Sequence, residues 1–137
     1  MSKNQFICDC KIIHEEDVQT VKEHMLGRRQ LAKVHKFCDC IGNDTRLKIL
    51  WALKTTPLCV CDIANILSMT KSATSHQLKT LKDASLITCE KKGKEVLYSL
   101  ADDHIKIILD MVAIHVMESY WCIKNPLSNQ DKIYANP

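Results

Sequence analysis

No apolar run in the chain approaches the roughly 18 residues that cross a bilayer, or the shorter apolar core of a secretory leader, and the opening residues, Met1-Ser2-Lys3-Asn4-Gln5, are polar. A cytoplasmic protein without a membrane partner is expected. Strong net charge is missing as well: the formal charge is +3, too mild to announce a nucleic-acid ligand by its size alone. Glycine is scarce, three in 137 residues, and Gly27, Gly42 and Gly93 each stand where a regular pattern breaks. No internal repeat is present beyond recurrent Cys-x-Cys pairs. There is no Cys-x-x-Cys, and the predicted strands are too few for a βαβ redox fold, which argues against a dithiol oxidoreductase and for a protein that is not an enzyme.

Cysteine, by contrast, is plentiful, with eight in the chain. In a secreted protein they would suggest a disulfide scaffold, whereas reducing cytosol keeps thiols free and leaves metal binding or redox chemistry as their use. The length suits one domain, and 46% hydrophobic residues suffice for a modest core. Charge is unevenly placed. Six lysines (71, 79, 82, 91, 92 and 94) face Asp83 and Glu90 between positions 71 and 94, a local charge of +4 that leaves the remainder at −1.

After an N-terminal arm over 1–14 holding Cys8 and Cys10, Val18, Val21 and Met25 have helical spacing from His14 to Leu26. A second stripe, Leu31, Val34, Cys38 and Ile41, ends at Gly42. Asn43 or Asp44 can cap a third helix with Leu47, Leu50 and Leu53 on its face, stopped by Thr55-Thr56-Pro57. A short helix from Cys61 to Leu67, a turn at Ser68-Met69-Thr70 and a helix from Lys71 to Ala84, buried through Ala73, Leu78 and Leu81, then give helix-turn-helix spacing. Ile87 to Glu90 and Glu95 to Leu100 form a hairpin around Lys91-Lys92-Gly93-Lys94. The last helix, Asp102 to about Tyr120, carries Ile105, Ile107, Ile108, Leu109, Met111, Val112, Ile114, Val116 and Met117 on most of its circumference and requires burial on several sides. The fold expected is mainly α with a small β-hairpin: a winged helix-turn-helix domain over 15–122, homodimeric through its terminal helices, with a polar tail over 123–137.

Within the second helix of the helix-turn-helix, Ser72, Thr74, Ser75, His76, Gln77 and Lys79 are short, amide or charged side chains able to reach base edges and phosphates of double-stranded DNA, and Gln77 can pair with adenine. Lys91, Lys92 and Lys94 at the hairpin tip would neutralise phosphates. Either element alone reads more readily as a solvated face. Their succession within the one segment that holds all the excess charge favours a DNA-binding surface.

Asp102, His104, His115 and Glu118 lie on the last helix. At about 1.5 Å rise per residue, Asp102 and His115 are roughly 20 Å apart, so one ion cannot reach both pairs within a chain. Two such helices crossing antiparallel near Asp110 bring Asp102 and His104 to the partner's His115 and Glu118, forming two symmetry-related oxygen and nitrogen sites that suit zinc. Taken singly, each residue reads as a surface side chain. Cys59-Val60-Cys61-Asp62 stands where a helix begins, and the helix dipole there favours thiolate. Cys8 and Cys10 on the arm can complete an all-sulfur site, which favours cadmium or lead over zinc. Two partly buried small apolar residues are the alternative reading of one Cys-x-Cys. Cys38 fits the stripe of the second helix as a small hydrophobe, and Cys40, Cys89 and Cys122 have no clear ligand partners.

Asn43-Asp44-Thr45-Arg46-Leu47-Lys48-Ile49-Leu50, Leu58-Cys59-Val60-Cys61-Asp62-Ile63-Ala64 and Ser75-His76-Gln77-Leu78-Lys79-Thr80-Leu81 closely resemble the ArsR/SmtB family of metal-sensing repressors over about residues 15–120, nearest its cadmium and lead sensor branch, CadC. The resemblance implies a repressor that binds operator DNA as a metal-free dimer and dissociates on taking up cadmium, lead or zinc. It makes Cys59 and Cys61 ligands, aligns Cys8 with an arm cysteine, and matches Asp102, His104, His115 and Glu118 to the family site between C-terminal helices. Ile12 occupies the place of the branch's second arm cysteine, with Cys10 nearby. Ala64 stands where the arsenic-sensing branch carries a third cysteine, which disfavours arsenite. A repressor of the same fold that senses oxidants or persulfides through its thiols is the alternative, although it leaves the aspartate, histidine and glutamate spacing without a role.

Overall fold

A computed structural model describes residues 8–124, with side chains through residue 118, and two compact units divide the chain after His35. In the first, α1 (Glu15–His24) opens with Glu15, Glu16 and Asp17 and closes with Lys22 and His24, the charge order that a helix dipole favours. None of its residues is buried. The stripe expected there faces outward, since Val18 is half-buried and Val21 and Met25 are exposed. Through the division runs α2 (Arg28–Ile41), at whose start the Gly27 amide donates to Gln30 Oε1 at 3.0 Å.

In the second unit Asn43 Oδ1 accepts the Arg46 amide at 3.0 Å and caps α3 (Asp44–Leu53), a contact worth about 1 kcal/mol. The elements that follow are β1 (Leu58–Cys59), α4 (Val60–Leu67), α5 (Lys71–Asp83), β2 (Ile87–Lys92), β3 (Glu95–Leu100) and α6 (Asp103–Lys124). The strands form an antiparallel sheet in the order β1-β3-β2. The hairpin is tighter than expected: Lys91 pairs with Val96 and Lys92 with Glu95, so the turn contracts to Gly93 and Lys94, with Gly93 at φ 62. A two-residue turn of this kind needs a positive φ that glycine adopts without strain. The two-residue strand β1 was not expected from sequence, because so short a stretch has no periodicity; it pairs Leu58 with Tyr98 and Cys59 with Leu97.

The core joins Ile49, Leu50 and Leu53 of α3, Ile63 of α4, Leu78 and Leu81 of α5, Leu86, Ile87, and Ile105 and Leu109 of α6. Three expectations about it need correction. Leu47 is exposed and Ile49 takes its place in the core. Thr74, not Ala73, fills the core position on α5, because 74, 78 and 81 share one helical face. On α2 the buried cysteine is Cys40, with Phe37 and Ile41 half-buried beside the core, while Cys38, Leu31 and Val34 are exposed.

Only one edge of α6 meets the core. Ile107, Met111, Val112, Ile114 and Met117 are between 49% and 66% exposed, so the helix predicted to need burial on several sides receives it on one. Among the described residues no helix is long and apolar enough to cross a membrane. The expected tail lies outside the described residues except for its first two, 123 and 124, which α6 includes, and the Cys122 side chain lies outside them as well.

Candidate nucleic-acid interface and metal-ligand groups

Ser68, in the left-handed conformation at φ 52, ends α4, and Thr70 starts α5 by accepting the Ala73 amide on its Oγ1 at 3.1 Å. This cap fixes where α5 begins and therefore which side chains face out. Lys71, Ser72, Ser75, His76 and Lys79 are exposed on α5, and Gln77 is half-buried. Lys79 pairs with Asp83 one turn on at 3.1 Å, an exposed contact of small energetic weight. Thr74 must be withdrawn from the set of base-reading candidates. It is fully buried, and its hydroxyl donates to the Thr70 carbonyl at 2.9 Å. On the hairpin, Lys91, Lys92 and Lys94 are all exposed.

Sequence reasoning missed the contact that holds Gln77. Arg46 of α3 donates from Nε to the Cys40 carbonyl at 2.8 Å, from Nη2 to the Asp39 carbonyl at 3.5 Å and from Nη1 to Gln77 Oε1 at 3.4 Å. The last turn of a helix leaves carbonyls without intrahelical partners and carries partial negative charge, so the end of α2 is a natural seat for a guanidinium. The 31 residues between Arg46 and Gln77 leave no local spacing from which this contact could be inferred.

Another missed contact ties α3 to α6. Lys54, at the C-terminal end of α3, pairs with Asp110 in the middle of α6. Its ammonium also sits 4.0 Å from the centroid of the Trp51 ring, close enough for a cation–π attraction. Lys82 near the end of α5 donates to Cys89 Sγ on β2 at 3.1 Å, and this bond raises the Lys82 pKa above its usual value.

The metal-ligand candidates divide by element. Asp102 Oδ1 lies 3.4 Å from His104 Nδ1, both side chains being exposed, and it also accepts the Ile105 amide at 3.2 Å, which holds the carboxylate at the start of α6. His115 and Glu118 are exposed further along the same helix. Among the described residues of one chain, no three histidine, cysteine or acidic side chains converge closely enough to hold an ion.

Cys59 ends β1 and caps α4; its amide and thiol both approach Asp62 Oδ2, at 3.3 and 3.1 Å. Cys61 is exposed on the first turn of that helix. In the other unit Cys8 and Cys10 are exposed, and the Cys10 amide donates to Cys8 Sγ at 3.4 Å. The Cys10 side chain and this amide hold the Cys8 thiol below its usual pKa. Burial instead pushes the Cys40 thiol up, which disfavours ligation there because metals bind the thiolate.

A helix-turn-helix formed by α4 and α5, followed by the β2–β3 hairpin, makes a winged helix-turn-helix. Residues 43–88 match the family described as "Bacterial regulatory protein, arsR family". The chain is 34% identical over 113 residues to a transcriptional repressor SmtB homolog of Synechocystis, covering 82% of this chain and 86% of that protein. It is 35% identical over 113 residues to a cadmium resistance transcriptional regulatory protein CadC homolog of Staphylococcus aureus, covering 82% and 93%. The homodimeric winged helix-turn-helix DNA-binding domain of a possible ArsR-family regulator from Mycobacterium bovis shares the fold, with a TM-score of 0.63 at 24% identity over 69% of this chain and 92% of that one. The chain belongs to the ArsR family of bacterial regulatory proteins.

Proposed function

We propose that this chain is a cytoplasmic, homodimeric transcriptional repressor that holds double-stranded operator DNA when metal-free and releases it on binding cadmium, lead or zinc. The relatives' names, a repressor and a cadmium resistance regulator, support the class. The observation that carries the metal reading is the separation of Asp102 Oδ1 from His104 Nδ1, 3.4 Å. Two donors held at about 2.0–2.1 Å by a tetrahedral ion stand about 3.3 Å apart, so the pair matches one edge of such a site. His115 and Glu118 lie several turns away and complete it only from a second chain. Antiparallel pairing of two α6 helices about Asp110 brings the partner's His115 and Glu118 to Asp102 and His104, and covers the exposed Ile107, Met111, Val112 and Ile114. Cys59 and Cys61, with Cys8 and Cys10, form the thiolate group that selects softer ions.

An ion held by Asp102 and His104 with the partner's His115 and Glu118 would supply a positive centre that neutralises the carboxylates at the crossing of the two α6 helices. The remaining steps belong to the chain. Asp110 and Lys54 tie α6 to α3, and Arg46 ties α3 to Gln77 on α5, so a change at α6 reaches the recognition helices. Those helices must sit about 34 Å apart to enter successive major grooves. A coupling of roughly 3 kcal/mol changes operator affinity about 150-fold. Ser72, Ser75, His76, Gln77 and Lys79 contact bases and phosphates, and Lys91, Lys92 and Lys94 contact phosphates.

Operator duplex bound to the protein and titrated with cadmium, lead, zinc and arsenite tests this reading, using wild type, Cys59→Ser and His104→Ala. Release by at least one of the first three ions in wild type, lost in one variant, is expected and identifies the regulatory group. Unchanged DNA affinity at saturating metal overturns it. Oxidant-driven release without metal would transfer the assignment to thiol chemistry, for which the lowered Cys8 pKa is the favouring observation.

A further inference from the structure

Gln77 reads as an adenine ligand when α5 is considered alone, because a carboxamide offers one acceptor and one donor group to the adenine edge. The contact with Arg46 changes what the side chain has left to offer. A guanidinium has only donors, so the carboxamide must turn its oxygen, not its nitrogen, toward Nη1. Nor is the guanidinium free to follow a rotating glutamine: its Nε is fixed at 2.8 Å from the Cys40 carbonyl and its Nη2 faces the Asp39 carbonyl at the end of α2. A planar group held at two points presents its third donor in a set direction.

We propose that Arg46 is a positioning residue for base recognition: it occupies Gln77 Oε1 and leaves the Gln77 NH2 as the group offered to DNA. The base edge selected is one that presents acceptors, guanine through O6 and N7 or thymine through O4, instead of the paired donor and acceptor of adenine. The inference rests on the reading of α5 as the recognition helix. It adds to that reading a residue of α3 that touches no base and still decides which base is chosen.

The test begins with duplexes selected by the full-length wild-type protein from a random library, followed by affinity measurements on every single-base variant of the recovered half-site. Wild type should prefer guanine or thymine by on the order of 10-fold at one position, the position where Gln77→Ala abolishes discrimination. Arg46→Met, shown to be folded by circular dichroism and its melting midpoint, should lose discrimination there and retain it elsewhere. Gln77→Glu keeps a partner for Arg46 and turns an acceptor outward, so its preference should move to the donor-bearing edge of cytosine or adenine; this variant decides the matter if Arg46→Met does not fold. Adenine preferred at the Gln77 position by wild type overturns the proposal. So does an Arg46→Met protein that binds all sequences more weakly with discrimination intact, the behaviour of a merely structural arginine. Discrimination untouched by Gln77→Ala refutes it while operator binding stands, whereas failure of wild type to select any sequence removes the recognition-helix reading itself.

Discussion

Replacing Lys54 with methionine should leave operator binding in place and weaken its response to metal. Lys54, the residue that caps the C-terminal end of α3, makes an ion pair with Asp110 of α6; its side chain is 16% exposed, and that of Asp110 is 43% exposed. With one partner so accessible to water, the pair contributes about 1 kcal/mol or less to stability, and methionine retains much of the apolar stem against Trp51. The protein should therefore remain folded. The effect on regulation is larger relative to its base. Residues that connect two sites without touching either ligand alter coupling by about 0.5–2 kcal/mol, a loss of roughly 2- to 30-fold from a metal response of about 150-fold. Fluorescence anisotropy of a labelled operator duplex, with and without saturating zinc, gives the ratio of affinities for wild type, Lys54→Met, Asp110→Asn and the double variant. If the pair carries the coupling, the double variant should be no worse than either single one. Metal responses equal to wild type in both single variants, with normal metal affinity, would refute a route from α6 through α3.

Thr74→Val should leave operator affinity within about 2-fold, because the side chain is fully buried, and should alter stability by about 1 kcal/mol or less, since the Thr70 carbonyl still accepts the Thr74 amide; a tenfold loss of DNA affinity in a folded protein would return Thr74 to the interface. Burial raises the Cys40 thiol pKa above its ordinary value of 9.0, so the folded chain holds that proton more firmly than the unfolded one. This stabilisation is complete below the unfolded pKa and is lost as pH rises through the folded value. Urea midpoints measured from pH 8 to 10.5 should fall more steeply for wild type than for Cys40→Ala, and parallel curves would contradict the burial argument. Changing Lys91, Lys92 and Lys94 together to glutamine removes three lysines from each chain of the dimer and should flatten the slope of log affinity against log salt by about 5.4, at about 0.9 per phosphate contact; a change below 1 would place the hairpin tips away from the DNA backbone.

The helices were legible because their core faces repeat. Leu50 and Leu53 keep the helical period on α3, as do Leu78 and Leu81 on α5, and both faces are buried. The cap at Asn43 and the turn at Gly93 were legible because each position demands a particular residue type. What escaped was decided by distant neighbours. Periodicity placed Cys38 inward with Leu31 and Val34, but the part of α2 that meets the core is its last turn and a half, where Phe37, Cys40 and Ile41 face inward. Thr74 looked like a surface threonine because its hydroxyl finds a partner within the same helix, and a satisfied hydroxyl can be buried at little cost. The contacts of Arg46 with Gln77 and of Lys54 with Asp110 join residues 31 and 56 positions apart, and no local pattern encodes such pairs. Of the candidate site, the spacing along α6 was legible because one helix sets it, whereas the closeness of Asp102 to His104 depends on how the chain enters that helix.

The central claim is that metal is held between two chains, and mixing two variants tests it most directly. His104→Ala homodimers lack one ligand in both sites, and so do His115→Ala homodimers. A dimer with one chain of each has one site with all four ligands intact and one site lacking both histidines. Zinc binding measured on the equilibrated mixture should recover to one strong site per mixed dimer, with partial restoration of metal-driven operator release. A mixture that binds and responds no better than the two separate homodimers, with chain exchange demonstrated independently, would contradict the account.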